Sequence, residues 1–123
     1  MHKVNLQERL ATVQEAWRPL CVGELNGQEV KLAKLKGEFV WHHHADEDEL
    51  FLGVEGNFRI EFRDRTVELG PGEFLIVPRG VEHRPVAEKE ASVLLFEPVG
   101  VRNTGNIEHP TLTAPSANPE PAE

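Results

Sequence analysis

The N-terminal segment carries apolar residues at helical spacing within a largely polar stretch. These apolar positions lie three or four residues apart: Leu6, Leu10, Val13 and Trp17. The spacing predicts an amphipathic helix over about residues 5–17. Asn5 and Glu8 match a capping box at its start, and Pro19 ends it. We expect this helix to cover the outside of a sheet, with partner binding as the alternative.

From about residue 20 to 99 the pattern changes to short strands separated by turn residues. The predicted strands span residues 20–25, 28–35, 39–44, 49–54, 57–63, 66–69, 73–77, 83–86 and 91–97. Asn26 followed by Gly27 predicts a tight hairpin between the first two strands. Because no helical pattern interrupts the series, we expect an all-β fold of mostly antiparallel strands, either a sandwich or a small barrel.

Three of the predicted strands are apolar on both faces, around residues 50–52, 74–77 and 93–96. A strand with one face in water alternates between apolar and polar residues, so both faces of these strands must be covered. One face fills the interior, and the single predicted helix is too small to cover the other face of all three. We therefore predict a homodimer formed through sheet faces or edges.

Length, charge and cysteine content narrow the class of protein. A chain of 123 residues suits one domain, and it contains neither an apolar run long enough to span a membrane nor the apolar segment of a secretory signal. The single cysteine, Cys21, excludes an internal disulfide framework and is expected in the core. A net charge of −8 with scattered basic residues argues against nucleic-acid or anionic-membrane partners. We predict a cytoplasmic protein.

The C-terminal segment differs in composition from the rest of the chain. Residues 106–123 contain four prolines and few large apolar side chains, which predicts a flexible tail. Just before it, residues 103–105 have the composition of a turn that could close over one end of the barrel.

Residues 37–56 carry the candidate chemistry. His42 and His44 are two positions apart, so on an extended strand both side chains point to the same face. Glu49 stands where the next strand begins, and His83 lies in a later turn. Together they predict a cluster of three imidazoles and one carboxylate around one divalent cation.

Two simpler interpretations of the same residues stay open. The histidine run followed by acids could be a solvated loop, and His83 could be a turn residue satisfied by its neighbours. Against this, His42 and His44 lie within a strand pattern, and Glu49 heads an apolar strand that draws it inward. A carboxylate buried among imidazoles costs several kcal/mol unless a cation or protons offset it.

Two motifs in this region resemble those of the cupin superfamily. The first consists of His42 and His44, a four-residue spacer, Glu49, six further residues and Gly56. The second runs from Gly72 through Pro78, Arg79 and Gly80 to His83, with Ala87 where the family has Asn. The resemblance implies a single cupin domain over residues 1–105, built as a double-stranded β-helix or jelly-roll barrel with a short N-terminal helix. It also implies metal binding at His42, His44, Glu49 and His83.

Other residues around the site are not expected to bind the metal. His43 is expected to face away from the metal, and residues 46–48 to form a solvated acidic rim. The aromatic residues nearby are expected to be either pocket wall or core: Phe39, Trp41, Phe51 and Phe62. The small size resembles single-domain cupins described as mannose-6-phosphate-isomerase-like.

The ligand set suits Fe, Mn, Ni, Zn or Cu as one divalent ion per chain and does not choose among them. Our first hypothesis is a small metalloenzyme acting on a small organic molecule by isomerase- or epimerase-like or dioxygenase-like chemistry, with no catalytic acid or base identified. The alternative is a non-catalytic protein that binds a metal or small ligand as a sensor.

Overall fold

The computed structural model describes residues 1–114, which contain one short helix and seven strands. The elements in chain order are α1 (Leu6–Leu10), β1 (Leu20–Leu25), β2 (Gln28–Glu38), β3 (Glu49–Glu55), β4 (Phe58–Phe62), β5 (Thr66–Leu69), β6 (Phe74–Val77) and β7 (His83–Pro98). All pairings between these strands are antiparallel, which confirms the all-β prediction. No helix within residues 1–114 has the length and apolar character needed to cross a membrane.

Strand β7 organises the sheet because it is long enough to pair with three neighbours. Strand β2 lies along one of its edges, from Gln28 opposite Pro98 to Glu38 opposite Val86. On the other edge, the first part of β7 pairs with β4 and the later part with β3. Strand β1 pairs with β2 on its other edge, β6 pairs with β3, and β5 pairs with β4. The chain therefore folds around β7 into the two walls of a jelly-roll barrel.

The predicted hairpin between β1 and β2 is confirmed. Leu25 pairs with Gln28 across a two-residue turn. Asn26 and Gly27 have φ angles of 51° and 76°, the left-handed conformation that both central residues of this turn type require.

The helix is shorter than predicted, because it ends at Leu10 rather than near residue 17. Its start agrees with the prediction, since the Glu8 N–H donates to the Asn5 side chain at 3.0 Å. Past Leu10 the chain makes tighter turns, and Trp17 has a φ of 65°. The backbone and indole N–H groups of Trp17 donate to β2 carbonyls at 2.9 and 3.0 Å. These tertiary hydrogen bonds override the helical propensity of the segment.

The strand predicted over residues 39–44 is wrong, because only His42 keeps a β-bridge to β7. The His43 N–H donates to the side chain of Asn106, and its carbonyl accepts from the Asn106 N–H, at 2.9 and 3.1 Å. The His44 carbonyl accepts a hydrogen bond from a turn rather than a strand. The backbone groups of His43 and His44 are thus used by loops rather than by a strand ladder, yet His42 and His44 are both buried as predicted.

The two strands predicted at residues 83–86 and 91–97 form one continuous strand, β7. The polar run between them, residues 88–90, is exposed. It lies where the register with β2 shifts between Leu35 and Gly37. An irregularity in the strand pairing therefore accommodates the polar residues that separate the two predicted strands.

Two apolar clusters hold the barrel together. The larger fills the interior and includes Trp17 stacked on Phe39 at 4.5 Å between ring centroids. The smaller joins Leu10 of α1 to Leu32 on the outer face of β2, so the helix covers the sheet as predicted. Cys21 is a free, fully buried thiol whose pKa is raised by burial, which confirms it as a core residue.

The turn predicted just before residue 106 packs against the barrel. Thr104 is fully buried, and the Asn103 side-chain amide donates to the Leu112 carbonyl at 2.9 Å. Residues 106–114, the first part of the segment predicted to be flexible, therefore make hydrogen bonds with the rest of the chain. The remainder of that segment, residues 115–123, lies outside the described residues.

Gly53 on β3 lies where an added methyl group would collide with the backbone of a neighbouring segment. A Cβ there would lie 2.2 Å from the Gly70 carbonyl oxygen, whereas one at Gly23 on β1 has nothing within 4 Å. We predict that Gly53→Ala lowers the free energy of unfolding by about 1–3 kcal/mol through overpacking. The matched Gly23→Ala should change it by less than about 1 kcal/mol. Urea denaturation measures both, and equal effects would contradict this packing argument.

Candidate metal centre

The side chains predicted as ligands come together inside the barrel: His42, His44, Glu49 and His83. His42 and His83 are bridge partners whose backbone groups exchange hydrogen bonds of 3.0 and 2.9 Å. His44 follows on the same segment, where its carbonyl accepts from the Gly80 N–H at 2.8 Å. Glu49 is the first residue of β3 and is buried. The His42–His83 bridge, the Gly80 turn and the first residues of β3 and β7 thus position the four side chains.

The geometry of the cluster is that of a small cage. Each residue offers one ligand atom within 4.8 Å of the other three, and none is more than 5% exposed. Nε2 of His44 and Nε2 of His83 lie 3.3 and 3.5 Å from Oε1 of Glu49. The rings of His42 and His83 are 4.3 Å apart between centroids.

Two backbone carbonyls fix the orientation of two of the imidazoles. Nδ1 of His42 lies 2.9 Å from the Val40 oxygen, and Nδ1 of His83 lies 2.9 Å from the Val81 oxygen. A carbonyl only accepts hydrogen bonds, so Nδ1 of each ring carries a proton, which leaves Nε2 as the nitrogen that can bind a metal. This is the arrangement in which a histidine binds a metal through Nε2.

Burial and mutual contact set the protonation of the cluster. Burial, assisted by the charge that His83 can carry, lowers the pKa of His42 to about 3 from an ordinary 6.5, so that ring is neutral at physiological pH. Burial would raise the pKa of Glu49, but His44 and His83 outweigh it and hold that pKa below its ordinary value. The site therefore presents a carboxylate, a form that metals bind.

The buried atoms at the centre fit a divalent cation. Nε2 of His44, Oε1 of Glu49 and Nε2 of His83 have no hydrogen-bond partner of good geometry within residues 1–114. Buried polar atoms without partners are rare, and they face one another here. Ligand atoms bound at about 2.0–2.2 Å lie at most about 4.4 Å apart, so small side-chain rotations would close the cage on one ion.

The aromatic residues predicted as pocket wall or core do not all lie beside the cage. Phe51 and Phe62 flank the His83 ring, at 6.1 and 6.4 Å between centroids. They therefore keep the centre apolar on that side. The Trp41 ring instead lies under the Arg63 guanidinium, 3.8 Å from its carbon, and takes no part in the cage.

A cavity of about 240 Å³ adjoins the cage at His44. Its wall includes His43, which stands outside the ligand cluster, and Arg102 from the segment after β7. Asp46 and Glu47 of the predicted acidic rim also line it. The third rim residue is more constrained than a solvated side chain, since Asp48 accepts hydrogen bonds from Arg79 at 2.9 and 3.3 Å.

Three buried charged residues near the cage were not predicted from the sequence. Glu29, Lys31 and Glu97 are each at most 3% exposed, and the Lys31 ammonium lies 3.2 Å from Glu97. Glu97 also contacts Glu49, and its pKa is raised by burial and by the charge of that carboxylate. A signal exists in the sequence, because Glu97 directly follows the apolar run at residues 93–96.

Fold and site together define a class: a small antiparallel β-barrel that gathers three histidines and one glutamate around a buried point. A family model described as "Cupin domain" matches residues 28–97, more than half of the chain. The chain belongs to the cupin family, as the two sequence motifs indicated.

Individual relatives agree with this assignment. The chain is 41% identical over 104 residues to "Uncharacterized protein YdbB" of Bacillus subtilis (strain 168), covering 76% of this chain and 92% of that protein. It is also 41% identical to a cupin-2 domain containing protein from Shewanella frigidimarina NCIMB 400, whose crystal structure aligns with a TM-score of 0.76 over 77% of this chain and 93% of that one.

A more distant likeness concerns the fold alone. The hydroquinone 1,2-dioxygenase from Sphingomonas sp. TTNP3 aligns with a TM-score of 0.67 at 18% identity, covering 78% of this chain and 73% of that one.

The lowered pKa of His42 predicts a pH-dependent stability of the metal-free protein. Between pH 6.5 and about 3 the unfolded chain binds a proton that the folded ring does not. Stability should therefore fall as pH falls through this window, by at most about 1.4 kcal/mol per pH unit from this group. His42→Asn, which retains an N–H near Nδ1, should flatten the profile. Denaturation in chelator between pH 4 and 7 measures it, and parallel profiles would exclude His42 as the cause.

Proposed function

We propose that this protein binds one divalent transition metal ion through His42, His44, Glu49 and His83, and that the ion acts on a small organic molecule. The single observation that carries the proposal is the set of inward-facing ligand atoms that lack hydrogen-bond partners within residues 1–114. The donor set of imidazoles and one carboxylate suits Fe, Mn, Ni, Zn or Cu. Membership of the cupin family agrees with it.

A divalent ion with an open coordination position polarises a bound oxygen or lowers the pKa of bound water. The protein's own contribution is orientation and exclusion of water. The Val40 and Val81 carbonyls hold two imidazoles with Nε2 free, and Phe51 and Phe62 shield the His83 ring. The cavity beside His44, about 240 Å³, is below the range of drug-sized ligands but accommodates a molecule of roughly ten non-hydrogen atoms.

Two reaction classes are compatible with this site. Dioxygenase-like chemistry is supported at the level of fold by the hydroquinone 1,2-dioxygenase likeness. An isomerase- or epimerase-like reaction on a phosphosugar has less support, because Arg59, Arg63 and Arg84 are each paired with carboxylates. Oxygen consumption by the Fe²⁺-loaded protein with small phenols and diols separates the two classes.

A non-catalytic metal or ligand sensor is the second candidate, and one observation favours it. The ligands are almost fully buried and the adjoining cavity is small, which suits a site that holds an ion without turning over a substrate. The buried free thiol of Cys21 suits a reducing compartment, so we propose a cytoplasmic location for either function.

The metal proposal predicts about one bound ion per chain in protein purified without a His-tag. His44→Ala and Glu49→Gln should each lose most of it, because each removes one of four donors. His43→Ala is the matched control, since His43 stands outside the cluster, and it should retain the ion. Elemental analysis measures the content, with circular dichroism to verify folding. Equal sub-stoichiometric metal in all four proteins would remove the proposal.

We also propose that the partner of this chain is a second copy, bound through the outer face of β3 and β6. Ile76 lies opposite Leu50, and Phe74 opposite Leu52, in two apolar rows that continue onto β7. Helix α1 covers the far end of these rows at β2. At the β6 end, Phe74 and Ile76 stay 61% and 52% exposed, and β6 forms the end of the strand order. An exposed apolar patch on an edge strand suits a homodimer interface.

The homodimer proposal predicts twice the chain mass for the parent in light scattering at micromolar concentration. Ile76→Lys should shift the protein to monomer, because it places a charge in the apolar row. Val81→Lys, at a partly exposed apolar position outside these rows, is the control and should stay dimeric. A monomeric parent would refute the proposal.

A further inference from the structure

A row of buried acidic residues crosses the inner wall of the barrel and ends at the metal centre. Glu29 on β2 pairs with Glu97 on β7. Leu50 of β3 pairs with Phe96, so the next position in the same antiparallel register sets Glu49 opposite Glu97. All three side chains are at most 4% exposed. Like charges facing each other across strands are destabilising, so the row needs compensation.

One lysine supplies part of that compensation. Lys31 stands two residues after Glu29 on the same face of β2, with its Nζ 3.2 Å from Oε1 of Glu97 and 3.6 Å from Oε1 of Glu29. Its Nζ also lies 3.5 Å from the Val101 carbonyl, and Oε1 of Glu29 accepts from the Gly100 N–H at 3.1 Å. The Lys31 ammonium is therefore held between two carboxylates and a backbone carbonyl.

Glu97 and Glu29 contact different groups. Glu97 lies between Lys31 and Glu49, so it touches a proposed metal ligand. Its Oε2 has no hydrogen-bond partner within residues 1–114, although it is fully buried. Glu29 contacts the lysine and a loop amide instead. Buried ion networks stabilise a fold poorly compared with apolar side chains of the same volume, so stability alone does not account for this one.

We propose that Glu97 and Lys31 are positioning residues for the metal centre, with Glu97 fixing the carboxylate of Glu49 and Lys31 fixing Glu97. The inference rests on the proposed metal-binding function. Groups that orient a metal ligand typically change metal affinity 10- to 100-fold when removed. Neither residue touches the ion itself; both act through Glu49.

The test uses Co²⁺ alone as the probe, since its absorption spectrum reports coordination geometry and calorimetry gives its affinity. Glu97→Leu and Lys31→Met should each weaken Co²⁺ binding by about 10-fold or more and alter the spectrum. Glu97→Gln should restore binding to within about threefold of the parent. Its amide N–H can donate to Glu49 while its oxygen accepts from Lys31.

Glu29→Leu is the matched control, because it removes an equally buried carboxylate from the same row without touching Glu49. It should lower the melting temperature yet leave Co²⁺ affinity and spectrum near those of the parent. If Glu97→Leu fails to fold, the double variant Lys31→Met with Glu97→Leu replaces the ion pair by apolar side chains and should show the same weakened binding.

The outcomes separate the two proposals. A parent that binds no Co²⁺ overturns the metal function and this inference with it. A parent that binds Co²⁺ while Glu97→Leu binds equally well overturns the inference alone. The same holds if Glu29→Leu weakens binding as much as Glu97→Leu, since the effect would then be general loosening of the wall.

Discussion

The burial of one carboxylate among three imidazoles is the constraint on which the rest of this structure depends. Glu49 is 4% exposed, and its ligand oxygen has no hydrogen-bond partner within residues 1–114. Removing such a charge from water costs several kcal/mol unless an opposite charge stands beside it. The Nε2 atoms of His44 and His83 face this oxygen, and the pKa of His42 is lowered, so protons compensate only in part. A divalent cation bound between the four side chains would supply the remaining positive charge.

Strand β7 brings the residues of this buried site together. That strand carries His83 at its start and Glu97 near its end, and it is flanked by the strands that bear Glu49 and Lys31. The His42–His83 bridge ties the histidine segment to the same strand. One long strand therefore carries one proposed ligand, His83, and one residue of the charged row, Glu97. The apolar clusters on either side keep water from the interior.

Much of this could be predicted from the sequence because the signals are local. The hairpin at Asn26 and Gly27 and the two cupin motifs depend on spacings of a few residues, and the structure brings their histidines and Glu49 together. The early end of α1 could not be predicted, since Trp17 leaves the helix to bond with β2. Nor could the pairing of Glu97 with Glu29, because cross-strand register depends on bulges that spacing alone does not specify.

The most direct measurement is anomalous diffraction from crystals of the protein grown without chelator, recorded at the absorption edges of the candidate metals. We predict one anomalous peak per chain, about 2.0–2.2 Å from Nε2 of each of the three histidines and from a carboxylate oxygen of Glu49. The absence of any peak there in metal-supplemented crystals, with the four side chains in the same positions, would contradict it.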